Sequence, residues 1–466
     1  MRTADEQLKK MKKEYLARSK PLRVDFRALC SQWPETKRSD VMTHFLHRYP
    51  AKILPYIPIF FLSSQEWATS DEKVLDIFAG TGTVLLESIV HHQFKRDCLG
   101  VEINPLARLI AKVKTTPGDI AELVKQRKSL LKRIRTLQET IPILQFYNID
   151  LWFNKQVQQI LSRIRFCINE LEDAFCRDFF QVCFSSIIRD VSFADAKIPP
   201  PVVLKPENFK DDPTQKEKAE RILKRKKKAN PVLYFKKAID KNIERMKELN
   251  EFAANGKVKA EIIWDDARTL SRGELSRNGM IDKSRQTHIN DKSIGLVLTS
   301  PPYINAQKYL RTTKFEILWL GLMEEKELAS LDRNFVGTER IYKDEYRKLT
   351  LTGIPSADQV IKKIFEKDHR RAAIVSRYFC DMNKVIEQVY RVLKDEGRFV
   401  LVIGNNTVRD VKVNNHRILS DIAASGGRFE TEMILVDEIR SRGMITKRHE
   451  SGGLVLDEWI LVLKKR

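Results

Sequence analysis

Long apolar runs are missing from this 466-residue sequence, and none approaches the ~20 residues that a membrane-crossing helix needs. The longest apolar run near the start, residues 53–62, is short and contains Pro55 and Pro58. The first fifteen residues are rich in charge and lack the apolar segment of a secretory signal. These absences predict a soluble intracellular protein without a membrane partner.

Cysteine is also sparse. The chain has six cysteines, and no two of them form a Cys-x-x-Cys pair. This spacing argues against a zinc site and against a disulfide framework. We therefore expect no metal, and we expect the thiols to be buried or idle.

Acidic residues are outnumbered, because 84 Lys and Arg face 62 Asp and Glu and give a formal charge of +22. Such a surplus favours a polyanionic partner, above all nucleic acid, since neutralised phosphates drive that binding. The densest basic stretch is residues 216–237, with ten basic and two acidic residues. Charge alone does not decide between DNA and RNA.

The order of apolar segments predicts an α/β sheet. A buried strand at 73–78, a glycine turn, a helix, a second strand at 97–103 and a helix beginning after Asn104-Pro105 form a βαβ pattern. The strand pattern stops at 115–255, which is mostly helical and charged. We predict one core, made of residues 1–114 and 256–466, that ends in an antiparallel hairpin. A helical insertion at 115–255 and a smaller insertion at about 304–375 interrupt this core.

The turn after the first strand, Asp76-Ile77-Phe78-Ala79-Gly80-Thr81-Gly82-Thr83, has two glycines that permit close approach of the backbone to a ligand. A dinucleotide-binding turn would have a small third residue where Leu85 stands, and the phosphate-binding P-loop pattern is absent. Glu102 ends the next strand, where an acidic residue can accept hydrogen bonds from ribose hydroxyls. The pattern predicts a nucleoside-like ligand without requiring a pyrophosphate.

A second loop, Thr299-Ser300-Pro301-Pro302-Tyr303, follows the apolar strand 294–298. Two prolines remove backbone donors and leave carbonyl acceptors. Together with the Ser300 hydroxyl they can accept hydrogen bonds from an amino group, and Tyr303 offers a flat face for stacking a base.

Taken together, DIFAGTGT, GVEINP and TSPPY resemble the S-adenosylmethionine-dependent amino-methyltransferases of DNA, and the S-P-P-Y form resembles the N4-cytosine branch. The resemblance implies a Rossmann-like class I methyltransferase sheet, with S-adenosylmethionine as cofactor and double-stranded DNA as substrate. It implies methylation of a flipped cytosine at N4, in a restriction-modification or host-defence context. The expected location is then the cytoplasm of a prokaryote, in association with the nucleoid.

The same resemblance assigns the site. Residues 47–58 resemble the N-terminal cofactor motif of the family, and 262–270 resembles the strand whose end contacts the cofactor adenine, with Asp266 preferred and Asp265 as the alternative. The expected catalytic residues are Ser300, Pro301, Pro302 and Tyr303. The expected cofactor residues are Tyr49, Pro50, Asp76, Phe78, Gly80, Thr81, Gly82, Glu102 and Asp266. The candidate DNA contacts are Lys224, Arg225, Lys226, Lys227, Lys228, Lys308 and Arg311.

Three alternatives stay open at this point. They are an adenine-N6 methyltransferase of DNA, an RNA base methyltransferase, and an idle nucleic-acid-binding protein, against which the intact motifs count. The target-recognition region is expected in 115–255, in 304–375 or in both. No nuclease motif can be placed, so any cleavage would belong to a separate restriction endonuclease, whose existence the sequence does not decide.

Overall fold

The strands predicted around the glycine turn lie in the middle of one large sheet. The computed structural model describes residues 3–31, 42–50, 52–195, 198, 200–253, 258–263, 265–270, 274–275, 281–282, 289–304, 309–438 and 457–466. Its strands are β1 (Leu22–Arg23), β2 (Lys73–Asp76), β3 (Cys98–Val101), β4 (Ala260–Ile263), β5 (Glu274–Leu275), β6 (Ile281–Asp282), β7 (Ile294–Thr299), β8 (Leu393–Gly404), β9 (Asn406–Val408), β10 (Val411–Val413), β11 (Phe429–Glu438) and β12 (Asp457–Lys465).

The described residues also form α-helices. They are α1 (Ala4–Arg18), α2 (Phe26–Ser31), α3 (Tyr56–Leu62), α4 (Thr83–Val90), α5 (Pro105–Thr115), α6 (Ile120–Thr136), α7 (Ile149–Trp152), α8 (Lys155–Asn169), α9 (Ala174–Val191), α10 (Pro213–Lys227), α11 (Pro231–Ala253), α12 (Tyr309–Leu320), α13 (Glu325–Asn334), α14 (Pro355–Phe365), α15 (His369–Val392) and α16 (Asn415–Ala424).

The main sheet has eight strands in the order β1-β11-β12-β8-β7-β2-β3-β4. The five strands from β8 to β4 are parallel, and β12 runs antiparallel to both of its neighbours, β8 and β11. The chain proceeds outward from β2 to β4 and then returns beside β2 as β7, so the strand order reverses between β2 and β7. Open α/β sheets bind ligands at the carboxyl ends of strands at such a reversal. The expected Rossmann-like methyltransferase sheet with a terminal antiparallel hairpin is confirmed.

Glycine and asparagine set the two helix starts that frame this reversal. Gly82 caps α4 with a φ of +74°, and a Cβ there would lie 3.0 Å from the Cβ of Ala111 on α5. Asn104 caps α5 by accepting hydrogen bonds from the backbone N–H groups of Leu106 and Ala107 at 3.0 and 3.4 Å. The turn therefore holds α4 closely against α5, and a side chain at position 82 would be both strained and crowded.

The helical insertion packs directly on the core. One apolar cluster joins buried residues of α5 with those of α6, α8, α9, α11 and α12. At its centre the Phe153 ring lies 5.6 Å from the ring of Phe315 and 5.5 Å from that of Trp319, between centroids. Because α12 belongs to the second predicted interruption, the two interruptions of the sheet pattern share one apolar core.

Neither a membrane-spanning helix nor a metal-binding cluster is found among the described residues. Among them, no helix combines the length and the apolar character that crossing a membrane would take. The part of the chain that the structure describes also contains no group of three or more His, Cys, Asp or Glu side chains arranged to hold a metal ion.

Candidate active site

A cleft of about 670 Å³, partly open to solvent, lies at the carboxyl ends of β2, β3, β4 and β7. Seven of the predicted site residues line it, namely Tyr49, Phe78, Gly80, Glu102, Asp266, Ser300 and Pro302. The other predicted catalytic and cofactor residues are not part of this lining, namely Pro50, Asp76, Thr81, Gly82, Pro301 and Tyr303. The motifs from three separate parts of the sequence thus meet in one place.

The glycine turn leaves room for a ligand at one of its two glycines. Gly80 has a φ of +52°, and a Cβ built there would meet no described atom within 4 Å. Gly82, in contrast, packs against α5. The open side of the turn therefore faces the cleft at Gly80, whereas Gly82 serves the packing of the helices.

Asp76 links the glycine turn to the Ser-Pro-Pro-Tyr loop through hydrogen bonds. Its Oδ1 accepts hydrogen bonds from Thr299 Oγ1 at 2.5 Å and from the backbone N–H of Phe78 at 3.2 Å. Burial raises the pKa of Asp76 to about 7, although both hydrogen bonds oppose that rise. The glycine turn and the Ser-Pro-Pro-Tyr loop are thereby joined at the ends of adjacent strands.

Glu102 presents a carboxyl group to the cleft wall. Its Oε1 accepts from the backbone N–H of Asn104 at 2.6 Å. Burial raises the pKa of Glu102 to about 7, while backbone hydrogen bonds from Asn104 and Gly80 oppose the rise. The side-chain amide of Asn104 also donates to the hydroxyl of Tyr49 at 3.0 Å, which holds Tyr49 beside this wall.

The end of β4 brings two carboxylates to the cleft, Asp265 and Asp266. The backbone N–H of Asp266 donates to Asp265 Oδ1 at 2.6 Å, and burial raises the pKa of Asp265 to about 7. Asp266 accepts instead from the Arg268 guanidinium, with Nη2 2.6 Å from Oδ2 and Nε 2.9 Å from Oδ1. Both the preferred residue and its alternative are in the wall, and Arg268 was not anticipated.

The Ser-Pro-Pro-Tyr loop exposes Ser300 and Pro302 to the cleft. Tyr303 turns toward the apolar cluster beneath the loop, and burial raises the pKa of its hydroxyl, which bonds to Ser300. Besides the predicted Tyr49 and Phe78, two further aromatic residues line the cleft, Tyr309 and Phe335, whose rings lie 6.5 Å apart at 17°. Sequence reasoning missed both rings, because neither belongs to a motif of the resemblance.

A second cavity of about 400 Å³ adjoins the cleft, and the two share Pro302, Tyr309, Phe335 and Val336. Arg311, one of the candidate DNA contacts, lines this cavity together with Arg340. Both guanidinium groups approach the carboxylate of Asp332, Arg311 at 3.9 Å. Lys308, another candidate, lies outside the described residues.

The basic end of α10 divides into exposed and buried side chains. Lys224, Arg225, Lys227 and Lys228 are exposed. Lys226 is only 4 % exposed, and its Nζ donates to the carbonyl oxygens of Arg189, Asp190 and Ser192 at 3.0, 3.3 and 2.7 Å. The prediction that Lys226 contacts DNA is therefore wrong. Its buried ammonium group donates to the last carbonyl oxygens of α9 and is not available to a DNA backbone.

Some known proteins share sequence similarity with this chain. No protein-family model matches the chain. The chain is 26 % identical over 402 residues to the Type II methyltransferase M.MvaI of Kocuria varians, a match that covers 82 % of this chain and 81 % of that protein.

Shorter matches join the chain to the Type II methyltransferases M.AvaI of Nostoc sp. and of Anabaena variabilis. Each is 27 % identical over 154 residues and covers 30 % of this chain and 32 % of the relative. The similarity supports a DNA methyltransferase, and the names of these relatives specify neither the base nor the position that is methylated.

Proposed function

We propose that this chain is a site-specific DNA methyltransferase that transfers a methyl group from S-adenosylmethionine to the exocyclic N4 amine of a cytosine flipped out of duplex DNA. The observation that carries the proposal is the meeting of Gly80, Glu102 and Ser300 in one cleft, at the reversal of the strand order. The 402-residue similarity to a Type II methyltransferase supports the class of reaction.

The cleft suits this cofactor in both shape and charge. The space above Gly80 admits a ligand close to the backbone, and Glu102 can accept hydrogen bonds from both ribose hydroxyls. Asp265 and Asp266 can accept from the adenine amino group. When bound, S-adenosylmethionine supplies a methyl group on a positively charged sulfur, and the ionised forms of Glu102 and Asp265 favour such a cation over a phosphate-bearing ligand.

The Ser-Pro-Pro-Tyr loop is proposed to activate the amine. The lone pair of the cytosine amine is delocalised into the ring, which makes it a poor nucleophile. Ser300 Oγ and the Pro301 carbonyl would accept hydrogen bonds from the amine, favour a tetrahedral nitrogen and direct its lone pair toward the methyl group. These bonds strengthen as positive charge develops on nitrogen, so they stabilise the transition state more than the ground state.

Tyr303 is proposed to act through Ser300, since its hydroxyl bonds to that side chain. The faces of Tyr309 and Phe335 are then the surfaces on which the flipped base stacks, because both rings line the cleft. Pro302 lines both the cleft and the cavity that contains Arg311 and Arg340. A nucleotide entering between them would bring its phosphates toward these guanidinium groups.

The exposed basic side chains of α10 are proposed to contact the DNA backbone. Lys226 Nζ bonds to the Asp190 carbonyl, and the Asp190 carboxylate lies 3.5 Å from Arg48, the neighbour of Tyr49 in the cleft wall. The basic end of α10 is thus linked to one rim of the site. We also propose a role in restriction-modification, with a separate endonuclease as partner. The substrate would be DNA in the cytoplasm of a prokaryote.

Nucleoside mass spectrometry tests the proposed reaction. Duplex DNA is incubated with the purified chain and S-adenosylmethionine labelled in its methyl group, and single-molecule sequencing of DNA from an expressing host reports the sequence context. We expect labelled N4-methylcytosine. Label confined to N6-methyladenine would overturn the N4 assignment, and label in tRNA or rRNA but never in duplex DNA would overturn the DNA substrate.

A further inference from the structure

We infer that Arg268 is a positioning residue that couples cofactor binding to binding of the target base. Its guanidinium group bridges the cofactor wall at Asp266 and the target wall that begins at Asn334. The inference rests on the proposed function, because it takes these walls to hold the cofactor and the flipped base.

On the cofactor side, Arg268 holds the whole carboxylate of Asp266. Nε lies 2.9 and 3.2 Å from the two carboxylate oxygens, Nη2 lies 2.6 Å from Oδ2, and the backbone N–H of Arg268 donates to Oδ1 at 2.9 Å. A carboxylate has about four acceptor positions, so a ligand amine that bonds to Asp266 must share it with Arg268.

On the target side, Arg268 Nη2 donates to the carbonyl oxygen of Asn334 at 2.8 Å. Asn334 is the last residue of α13, where the partial negative charge of the helix C-terminus favours a cation. Asn334 and its successor Phe335 line the cleft. Two residues further on, a Cβ at Gly337 would lie 3.4 Å from the carbonyl oxygen of Tyr303, so this segment packs on the catalytic loop.

A rigid anchor keeps the guanidinium in place. Nη1 of Arg268 donates at 3.1 Å to Asp381 on the long helix α15, and the Asp381 side chain is 8 % exposed. Arg268 itself is 13 % exposed, so its bonds are poorly screened by solvent. Asp381 holds Nη1 in place. A change in the bonds to Asp266 is therefore expected to move Nη2, the nitrogen that also bonds to Asn334.

One nitrogen atom carries the coupling. Nη2 has two hydrogens, and it donates one bond to Asp266 Oδ2 and one to the Asn334 carbonyl. A ligand that draws Asp266 toward itself therefore changes the direction of the hydrogen that holds Asn334, and with it the setting of Phe335. Such coupling is reciprocal, so the target base must change cofactor affinity by the same factor.

The experiment measures the dissociation constant of a target duplex with and without saturating S-adenosylhomocysteine, the demethylated form of the cofactor. We expect the wild-type full-length chain to bind duplex at least about 5-fold more tightly with this ligand present, the lower end of typical coupling factors. Arg268→Met should bring the factor close to 1 while each ligand still binds alone. Arg268→Lys, which keeps the charge without the fork of donors, should also lower the factor, and it serves if Arg268→Met does not fold.

Arg377 supplies a matched control from the same layer. Its Nη2 donates to the carbonyl of Arg333 at 2.8 Å, next to the bond that Arg268 makes, but it has no bond to Asp266 among the described contacts. Arg377→Met should therefore weaken duplex binding equally with and without S-adenosylhomocysteine. Retention of full coupling by both Arg268 variants, or its loss in Arg377→Met to the same extent, would overturn the inference.

The two proposals fail in different ways. If the wild-type chain binds both ligands without any coupling, the inference is wrong and the proposed function stands. If the chain methylates adenine rather than cytosine, the N4 assignment is wrong. The coupling test still decides the role of Arg268, because it compares duplex affinity with and without S-adenosylhomocysteine. If it binds no S-adenosylhomocysteine, both are wrong.

Discussion

The two walls of the cleft differ in where their residues come from and in their chemistry. The cofactor wall is acidic, and its carboxyl groups stand within a few residues of the ends of β3 and β4. The target wall carries the rings of Tyr309 and Phe335 and the amide of Asn334, which come from the start of α12, the end of α13 and the residue that follows it. A wall made at strand ends can be read from short motifs, whereas a wall made by packed helices depends on how those helices return to the sheet.

The largest effect is expected between the walls, at Ser300. Ser300→Ala removes an acceptor whose bond strengthens in the transition state, so the single-turnover rate of methyl transfer should fall ~100- to 1,000-fold with S-adenosylhomocysteine affinity unchanged. Ser293→Ala is the control, because the Ser293 hydroxyl bonds to the Asn290 carbonyl before the start of β7. An equal rate in Ser300→Ala and wild type would refute the role of the loop.

On the cofactor wall, Glu102→Gln should weaken S-adenosylhomocysteine binding by ~10- to 100-fold, because hydrogen bonds to a charged acceptor are lost. Isothermal titration measures the change. Glu261→Gln, an exposed substitution on β4, should leave the affinity unchanged. A similar loss of affinity in both variants would show that the overall charge of the protein is responsible. It would contradict a specific role of Glu102 in the cofactor wall.

On the target wall, Phe335→Ala should weaken duplex binding ~5- to 100-fold through lost stacking, with a smaller effect on S-adenosylhomocysteine. Fluorescence anisotropy with a labelled duplex measures duplex binding, and isothermal titration measures S-adenosylhomocysteine binding. Tyr147→Ala removes an aromatic ring that is 73 % exposed and outside the cleft, and it should bind as wild type does. A selective loss of cofactor affinity in Phe335→Ala would reverse the assignment of the two walls.

The acidic wall should also respond to pH where the aromatic wall does not. Burial raises the pKa of Glu102 and of Asp265 to about 7, and their ionised forms are the better acceptors. S-adenosylhomocysteine affinity should therefore rise as pH increases from 6 to 8, by at most about 10-fold per pH unit for each group that must ionise. Titrations at several pH values should show a flatter profile for Glu102→Gln, and an unchanged slope would contradict the role of that carboxylate.

The smallest effect is expected from single basic residues of α10. Lys227→Ala should lower the slope of log affinity against log salt by ~1 if the side chain neutralises one phosphate. Lys226→Ala should leave that slope unchanged and lower the melting temperature instead, because its ammonium group caps the end of α9. A reversed pattern would show that the buried lysine is the DNA contact.

Sequence reasoning succeeded where chemistry is local. The glycine turn and Glu102 follow their strands directly, so the parallel sheet brings them together whatever the insertions do. It did not find Phe335, because its place in the cleft depends on the return of α13 to the catalytic loop. Lys226 was misassigned because its neighbours in the sequence are also basic, so the pattern does not reveal which side chain of α10 is buried. Ala219 and Lys226, seven residues apart, are the buried residues of this helix. Arg268 lies within the motif at 262–270, but its partners Asn334 and Asp381 are far along the chain.

The position of β12 has a consequence for synthesis. Residues 457–465 lie between β8 and β11, which do not pair with each other. A nascent chain that has emerged only as far as residue 438 would hold two strands with an empty place between them and two unpaired edges. The parallel half of the sheet can assemble earlier, so a chain that has emerged only as far as residue 438 would carry a nearly complete cleft on a sheet that is still open to aggregation.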